Sequence, residues 1–318
     1  MLSKGRNMKK VLLTTTALVM TAGFAAAEVS MSGKVQTAMS AKGTDDMQMN
    51  THIDLNVAVS ATMDNGVTMS TSVGYDAGTE ADYNDDFTVD PAEAGWATGA
   101  PEVAIGYEGF TITAQPDGVD NLYDGDLASV AGDVGIAGSV GGVNFSFVSD
   151  MEATDADGDE RVGATSYSIS YSAGDITASY AATSDDGTGV AANADDAAGA
   201  AASVISLSYK MGDATITAKS DNEGAADSTN SIGVSYTMGA ITVGYTAAGD
   251  NGANMGDDYD MSLGYNAGPL SATFSTNEAS RTRIVAEYDL GGATAFFSSS
   301  NSDGSADDFQ AIGVNFNF

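Results

Sequence analysis

The chain contains no cysteine and a single histidine, His52. The absence of cysteine leaves the redox compartment open, because many exported proteins also lack it. Nucleophilic catalysis needs a nucleophile beside a base that a third group orients. His52, Asp54 and Ser60 would share one face of a strand, but simple alternation of polar residues produces the same arrangement. The sequence therefore predicts that the protein is not an enzyme.

Basic residues are also scarce. Lysine and arginine total 11 against 44 aspartate and glutamate residues, and no acidic residue precedes Glu28. Cleavage before Glu28 would leave seven basic and 44 acidic side chains, a formal charge of −37. Nucleic acid is excluded as a partner, since its binding needs a basic surface. A compact soluble core would also have to form against strong self-repulsion.

The chain has no long apolar run beyond its N-terminal segment. There the basic pair Lys9–Lys10 is followed by a short, mostly apolar run and an A-x-A site that ends at Ala27. The apolar run is shorter than the roughly 20 residues of a spanning helix. We therefore interpret residues 1–27 as a secretory signal that is cleaved before Glu28, with Met8 as an alternative start. An uncleaved N-terminal membrane anchor is the competing interpretation.

The last eight residues, A-I-G-V-N-F-N-F, alternate in polarity. Ile312, Val314, Phe316 and Phe318 would share one face of a strand, with glycine and asparagine on the other. A terminal strand frays unless it is tied down, whereas a strand that closes a barrel leaves no loose edge. The segment thus predicts closure against the N-terminal strand, 29–40. Its terminal phenylalanine resembles the sorting signal of bacterial outer-membrane β-barrels.

Six internal segments show the same alternation, and each ends in a tyrosine just before a short glycine turn. Each tyrosine has an apolar or aromatic residue two and four positions earlier, which is the period of a strand with two different faces. Short turns alternate with longer loops rich in Asp, Gly and Asn. Because the loop lengths vary, the pattern favours an up-and-down barrel over a solenoid of fixed period. The tyrosines are Tyr107, Tyr171, Tyr209, Tyr236, Tyr265 and Tyr288.

The N-terminal half follows the same pattern. Residues 52–63 alternate and end at Asp64–Gly66, a hairpin turn signal. Nine strands run toward the short-turn side, so we count eighteen strands in all. Sixteen would follow if one weak, glycine-rich hairpin, such as 133–150, lay outside the wall. The other early strands are predicted at 29–40, 67–76, 101–108, 110–115, 133–140 and 143–150.

The two faces of these strands must meet different surroundings. In a bilayer every backbone polar group must be paired, so only helices and closed barrels span it. A barrel in lipid turns its apolar face outward and its polar face toward a lumen. The small polar residues here suit a water-filled interior, and the six tyrosines and Phe318 would form an interface girdle. A soluble β-sandwich is the alternative, but it leaves the signal segment, the repeat and the terminal phenylalanine unexplained.

Three motifs carry a family resemblance. They are the E-V-S-M-S-G start after the signal, the segment G-V-D-N-L-Y-D-G-D at 118–126, and the terminal Phe318. With the alternating pattern, they make the mature chain similar to Gram-negative general porins of the alphaproteobacterial type. The resemblance implies a sixteen-stranded, homotrimeric barrel that passes small hydrophilic solutes. It also implies that the third long loop folds into the lumen, with acids that face basic residues on the wall.

The resemblance makes residues 116–132, the third long loop, the constriction loop. Its acids would be Asp117, Asp120, Asp124, Asp126 and Asp133. Alternation places a second set of side chains on the pore wall, namely Lys34, His52, Asp54, Arg281, Arg283 and Glu287. Lys34 and Arg283 are expected to face the acidic loop, because a basic side chain facing lipid at mid-depth costs about 2–4 kcal/mol. Arg281 is expected at the rim, and a solvated charge near the rim is the alternative for each.

Asp155–Glu160 resembles part of a calcium-binding loop. It has Glu160 where such a loop needs glycine and Ser166 where it needs a bidentate glutamate. An EF-hand is therefore not predicted, and no metal site is certain. Weak divalent-cation binding, by calcium for example, is expected in acidic loops, where it would bridge them to anionic head groups; solvated loops are the alternative. The acidic pairs are Asp185/Asp186, Asp195/Asp196, Asp257/Asp258 and Asp307/Asp308.

The sequence thus predicts an outer-membrane porin with a water-filled, cation-preferring channel, because its field is negative. Its expected partners are membrane lipids, lipopolysaccharide, two further copies in a homotrimer, and the insertion machinery that would read the Phe318 strand. No cofactor is expected beyond weakly bound divalent cations. Two alternatives remain: a non-conducting outer-membrane barrel with an adhesive or structural role, and a secreted, calcium-stabilised soluble β-protein.

Overall fold

The computed structural model describes residues 27–83, 93–98, 100–123, 131–151, 164–184, 201–222, 228–250, 255–301 and 308–318, with only the backbone for 93–98. Within these ranges no helix is long and apolar enough to cross a membrane. Most of the predicted signal segment lies outside the described residues. So do Asp124, Asp126 and the acidic segment 155–160.

The described residues form nineteen β-strands. The first ten are β1 (Glu28–Lys42), β2 (Gln48–Thr62), β3 (Thr68–Glu80), β4 (Glu93–Thr98), β5 (Glu102–Tyr107), β6 (Phe110–Val119), β7 (Gly132–Val140), β8 (Val143–Ser149), β9 (Thr165–Ala173) and β10 (Ile176–Thr183). The others are β11 (Ala202–Met211), β12 (Ala214–Asn222), β13 (Ser228–Met238), β14 (Ile241–Asp250), β15 (Asp258–Ala267), β16 (Leu270–Asn277), β17 (Thr282–Asp289), β18 (Thr294–Asn301) and β19 (Phe309–Asn317).

These strands close into one antiparallel barrel. Apart from β4 and β5, each strand pairs with its neighbours in sequence, and β1 pairs with both β2 and β19. The predicted closure of the terminal strand against the first strand is therefore confirmed. Because a closed barrel has no free edge, all of its strands can satisfy their backbone groups within the wall.

Nineteen strands occupy eighteen positions in the barrel wall. Both β4 and β5 pair with β3, β5 along Thr68–Ser72 and β4 along Tyr75–Glu80, so together they form one interrupted strand. Pro101 lies at the interruption, and proline cannot donate a ladder hydrogen bond. The direct count of eighteen is thus confirmed, and the sixteen implied by the resemblance is wrong. The hairpin β7–β8 belongs to the wall, because it pairs with β6 on one side and β9 on the other.

Alternation separates charge from apolar surface in this wall. The large apolar side chains at every second position are exposed on the outer face. In the regular strands whose side chains are described, every Lys, Arg, Asp and Glu lies at the opposite parity, facing the interior. The interior face is otherwise rich in Ser, Thr and Gly. The sequence prediction of an apolar exterior and a polar interior is confirmed.

One part of the interior is packed rather than open. A small apolar cluster lies where β1, β18 and β19 meet, and two of its members follow the end of β3. The partly buried Val285 of β17 packs against it. The buried members are Ala38, Ala81, Tyr83, Phe296, Phe309 and Ala311. The chain after β3 therefore turns into the barrel and packs on the inner face of β1, β18 and β19.

Candidate channel lumen

The predicted interface aromatics all lie on the outer face, near the short turns. Their exposed fractions fall between 42% and 49%, and each points away from the interior by strand parity. This placement is the one that an interface girdle requires, while the girdle itself stays a prediction. The residues are Tyr107, Tyr171, Tyr209, Tyr236, Tyr265, Tyr288 and Phe318.

Two predicted wall residues, Lys34 and His52, meet at the end of β3. The ammonium group of Lys34 contacts Glu80, and His52 Nδ1 lies 3.6 Å from Glu80 Oε2. His52 Nε2 contacts the Asp76 carboxylate. Sequence reasoning placed Lys34 and His52 on the wall but missed both carboxylates. Asp76 and Glu80 lie four positions apart on β3 and therefore share the inner face, which is a signal that the sequence contains. No site residue had been predicted on β3.

Asp54 faces the interior beside this group and is exposed. It lies directly opposite Lys34 in the β1–β2 register and opposite Asp76 in the β2–β3 register. The hypothetical partner Ser60 lies eight positions from His52 on the same strand. That separation spans about 26 Å of extended chain, so the structure does not bring the two side chains together as a catalytic pair.

Arg283 lies on the inner face of β17 between Ser275 and Ser300 of the neighbouring strands. Among the residues that the structure describes, its Nη1 atom is buried and has no hydrogen-bond partner, and the same holds for Nε of Arg281 just before the strand. The expected contact of Arg283 with third-loop acids stays a prediction, because Asp124 and Asp126 are not described. Lys34, the other residue expected to face those acids, pairs with Glu80, and its contact with the acids also stays a prediction.

The residues Ala81–Tyr83, here named the luminal arm, follow β3 and turn into the barrel. Gln36 Nε2 donates to the Ala81 carbonyl oxygen at 3.2 Å, and the Ala81 N–H donates to Gln36 Oε1 at 2.6 Å. Gly78 has a φ of 101° and is the last residue of β3 paired with β2. Only glycine adopts this conformation readily, so Gly78 lets the end of β3 separate from β2 while it stays paired with β4.

Tyr83 holds the end of the luminal arm against the inner face of β17, β18 and β19. Its hydroxyl donates to Glu287 Oε1 at 2.7 Å and accepts from Asn315 Nδ2 at 3.0 Å. Its ring stacks on Phe296 with centroids 3.7 Å apart and an angle of 8° between the planes. Burial, followed by the hydrogen bond to the Glu287 carboxylate, raises the pKa of Tyr83, so the phenol stays a donor. The predicted wall residue Glu287 is thus engaged by a loop residue.

Gly313 makes room for this stack. A Cβ atom at position 313 would lie 2.6 Å from Phe296 Cζ and 2.6 Å from the Thr37 carbonyl oxygen. Real Cβ atoms do not approach other atoms so closely, so any side chain here would displace the Phe296 ring. The glycine in the terminal A-I-G-V motif therefore allows Phe296 to lie flat on the wall and to accept the Tyr83 ring.

The third long loop also contacts the inner wall. Its first residues, Asn121–Tyr123, are here named the rim segment, because they touch β9, β10 and β12 at their long-loop ends. The hydrogen bonds run from Asn121 Nδ2 to Thr183 Oγ1 (3.1 Å), from Leu122 N to Ser166 Oγ (2.9 Å), and from Tyr123 OH to Asp221 Oδ1 (2.6 Å). Asp221 is also ion-paired with Lys219 at 2.7 Å.

The predicted loop boundary needs correction. The loop was expected to begin at residue 116, but β6 continues to Val119, which pairs with Gly132 beyond a local irregularity of register. Asp117 is therefore in a strand, and Asp133 lies on β7 rather than in the loop. Asp133 accepts hydrogen bonds from the Asp117 N–H at 3.1 Å and from the Met151 N–H at 2.8 Å, so it joins backbone segments.

Among the described residues, no group of three or more His, Cys, Asp or Glu side chains has the arrangement of a metal site. Asp120 is exposed beyond the end of β6. Of the acidic pairs considered for weak cation binding, Asp185/Asp186 and Asp195/Asp196 lie outside the described residues, as does Asp307.

Several solved structures share this architecture. A triple mutant of the Rhodopseudomonas blastica porin has a TM-score of 0.56 and 16% identity, covering 91% of this chain and all of that one. Pseudomonas aeruginosa OccK5 (OpdH) has a TM-score of 0.61 and 10% identity, covering 93% and 99%. Salmonella typhi OmpF, solved with daunomycin, has a TM-score of 0.51 and 11% identity, covering 92% and 98%. At these identities the likeness establishes the fold.

No curated protein sequence is significantly similar to this chain. The sequence profile of Gram-negative porins, in contrast, matches residues 14–318. This match covers almost the whole chain and agrees with the closed barrel, the apolar exterior and the polar interior. The chain belongs to the Gram-negative porin family, an outer-membrane family of channels for passive diffusion.

Proposed function

We propose that this protein forms a hydrated channel through which small hydrophilic solutes and ions diffuse passively, with a preference for cations. One observation carries the proposal: the charged side chains of the regular strands face the interior of a closed barrel whose exterior is apolar. A charge on the outer face would be exposed to lipid at a cost of about 2–4 kcal/mol for a basic residue at mid-depth. The inner face can carry charge only where water reaches it.

The preference for cations follows from the charges that remain unbalanced. Cleavage before Glu28 would leave a formal charge of −37. Two inward lysines, Lys34 and Lys219, are each paired with a carboxylate, which reduces their attraction for anions. Acidic groups such as Asp54 and Glu102 face the same interior. A negative field in a low-dielectric wall concentrates cations and excludes anions.

Single-channel recording in planar bilayers tests the proposal. The purified protein should produce discrete conductance steps whose size rises with salt concentration. A protein that folds, as judged by heat-modifiable migration in detergent gels, but leaves the bilayer silent would favour a non-conducting barrel with an adhesive or structural role. A protein without heat-modifiable migration would favour the soluble β-protein.

The partners extend the proposal. Family membership supports a homotrimer, and the exposed aromatic ends of the strands suit contacts with lipids and lipopolysaccharide. The Phe318 strand is the expected signal for the insertion machinery. Cross-linking in native membranes should give a trimer, and a monomer alone would count against this assembly.

Acidic loops are proposed to bind divalent cations such as calcium weakly. A calcium titration should raise thermal stability, and no change would remove the ion proposal. No catalytic activity is proposed.

A further inference from the structure

In the part of the chain that the structure describes, two segments leave the wall and enter the barrel, and they reach different depths. The rim segment bonds to Ser166, Thr183 and Asp221, each at the long-loop end of its strand. Tyr83 of the luminal arm bonds instead to Glu287 and Asn315. These two residues lie within three positions of the ends of β17 and β19 on the short-turn side. Among the described residues, the luminal arm therefore penetrates further than the third loop.

The luminal arm is held at both of its ends. At its root, Glu80 contacts Lys34, and Ala81 exchanges two hydrogen bonds with Gln36. At its tip, Tyr83 combines two hydrogen bonds with a stacked ring. Ala81 and Tyr83 are among the most buried apolar residues that the structure describes, at 0% and 5% exposure. These contacts at both ends hold the segment inside the barrel.

We propose that the luminal arm, held by Tyr83, narrows the channel in its short-turn half and contributes to its size limit, and that the Tyr83 hydroxyl shields the charge of Glu287. The proposal rests on the channel function proposed above. It gives the luminal arm, and not the third long loop alone, a role in permeation. The Tyr83 ring determines the cross-section of the channel, whereas the Tyr83 hydroxyl affects the electric field that a passing ion experiences.

The two roles can be separated by substitution. Tyr83→Phe keeps the ring on Phe296 but removes the donor to Glu287. It should leave the size limit unchanged and increase the preference for cations, because the carboxylate loses a hydrogen bond that offsets its charge. Tyr83→Ala removes both the ring and the hydroxyl. It should therefore also raise the unit conductance and shift the exclusion limit toward larger neutral solutes.

Matched controls come from the rim segment. Tyr123 also donates its hydroxyl to an inner-wall carboxylate, Asp221, but at the long-loop end. Tyr123→Phe and Tyr123→Ala remove the same groups, the hydroxyl alone or the ring with it, at the long-loop end of the barrel. Folding of every variant is checked by heat-modifiable migration. If Tyr83→Ala does not fold, Tyr83→Leu tests the same steric point, because it removes the ring but keeps an apolar side chain in the buried cluster.

The experiment combines single-channel recording with solute entry into proteoliposomes, using a series of neutral sugars of increasing size. The proposal expects larger conductance and entry of larger sugars for Tyr83→Ala or Tyr83→Leu, with selectivity alone changed in Tyr83→Phe. Wild-type conductance and exclusion limit in folded Tyr83→Ala, or in Tyr83→Leu if that variant replaces it, would overturn the proposal while leaving the channel function standing. A folded wild-type protein that conducts nothing would overturn both.

Discussion

Phe318 and Gly33 exchange two backbone hydrogen bonds across the seam of the barrel. The Phe318 N–H donates to the Gly33 carbonyl oxygen at 3.1 Å, and the Gly33 N–H donates to the Phe318 carbonyl oxygen at 3.0 Å. A Cβ atom on residue 33 would lie only 3.0 Å from the Phe318 ring and would collide with the Asp54 carbonyl oxygen. Glycine at position 33 therefore permits the terminal aromatic to lie flat against β1 at the point of closure.

Gly33→Val should destabilise the closed barrel. The added side chain must displace backbone of β2 as well as the Phe318 ring, and overpacking of this kind costs about 1–3 kcal/mol. Urea unfolding in lipid vesicles measures the change. Gly74→Ala is the control, since a Cβ atom there meets nothing within 4 Å. Equal stability of the two variants would contradict the close packing of Gly33 against Phe318 and β2.

A charge placed on the outer face should be far more harmful than one placed on the inner face. Leu207 is half exposed on the outside of β11, while Ser208 faces the interior. Leu207→Arg should lower the unfolding free energy by about 2–4 kcal/mol, whereas Ser208→Arg should be tolerated and should weaken the cation preference. The same vesicle unfolding assay compares the two variants. A similar loss of unfolding free energy in both would mean that the inner and outer faces of β11 are wrongly assigned.

Glu80→Gln should reduce the preference for cations more than the loss of one carboxylate explains. The substitution also frees Lys34, whose ammonium group contacts Glu80, so a positive charge becomes available to anions. Glu102→Gln removes another inner-face carboxylate and serves as the control. Reversal potentials of the two variants give the comparison. If they shift equally, the Lys34–Glu80 pair has no effect on selectivity.

The contribution of Tyr83 to stability should decline in alkali. Because its pKa is raised in the folded protein, the neutral phenol is favoured there, and the unfolded chain ionises first, at about pH 10. The advantage over Tyr83→Phe, about 1 kcal/mol at neutral pH, should be full below that pH and fall as the pH rises above it. Unfolding of both proteins across this range tests the sign. An advantage that grew with pH would contradict the buried hydrogen bond.

The wall of the barrel was predictable because its signal is local. Strands of period two with glycine turns identify β9 to β19 directly, and parity alone places Lys34, His52 and Glu287 on the inner face. The interrupted strand β4–β5 was harder, since each half is short and residues 93–98 show no clear repeat. A count of eighteen from the sequence was correct, and the resemblance alone led to sixteen.

The luminal arm could not be predicted, because its contacts are distant in sequence. Tyr83 and Glu287 are separated by 204 positions, and Tyr83 and Asn315 by 232. A tyrosine just after a strand matches the expected girdle, so its sequence gives no reason to place it inside. Only closure of the barrel brings β17 and β19 beside the end of β3, and that is a property of the whole sheet rather than of any segment.

The reversal potential in a salt gradient across a planar bilayer tests the central claim most directly. A hydrated channel with this distribution of charge should conduct in discrete steps and give a potential whose sign corresponds to cations crossing more readily than anions. The potential should fall as total salt rises, because salt screens the carboxylates of the inner face. A folded protein that gives no conductance, or a potential of the opposite sign, would contradict the account.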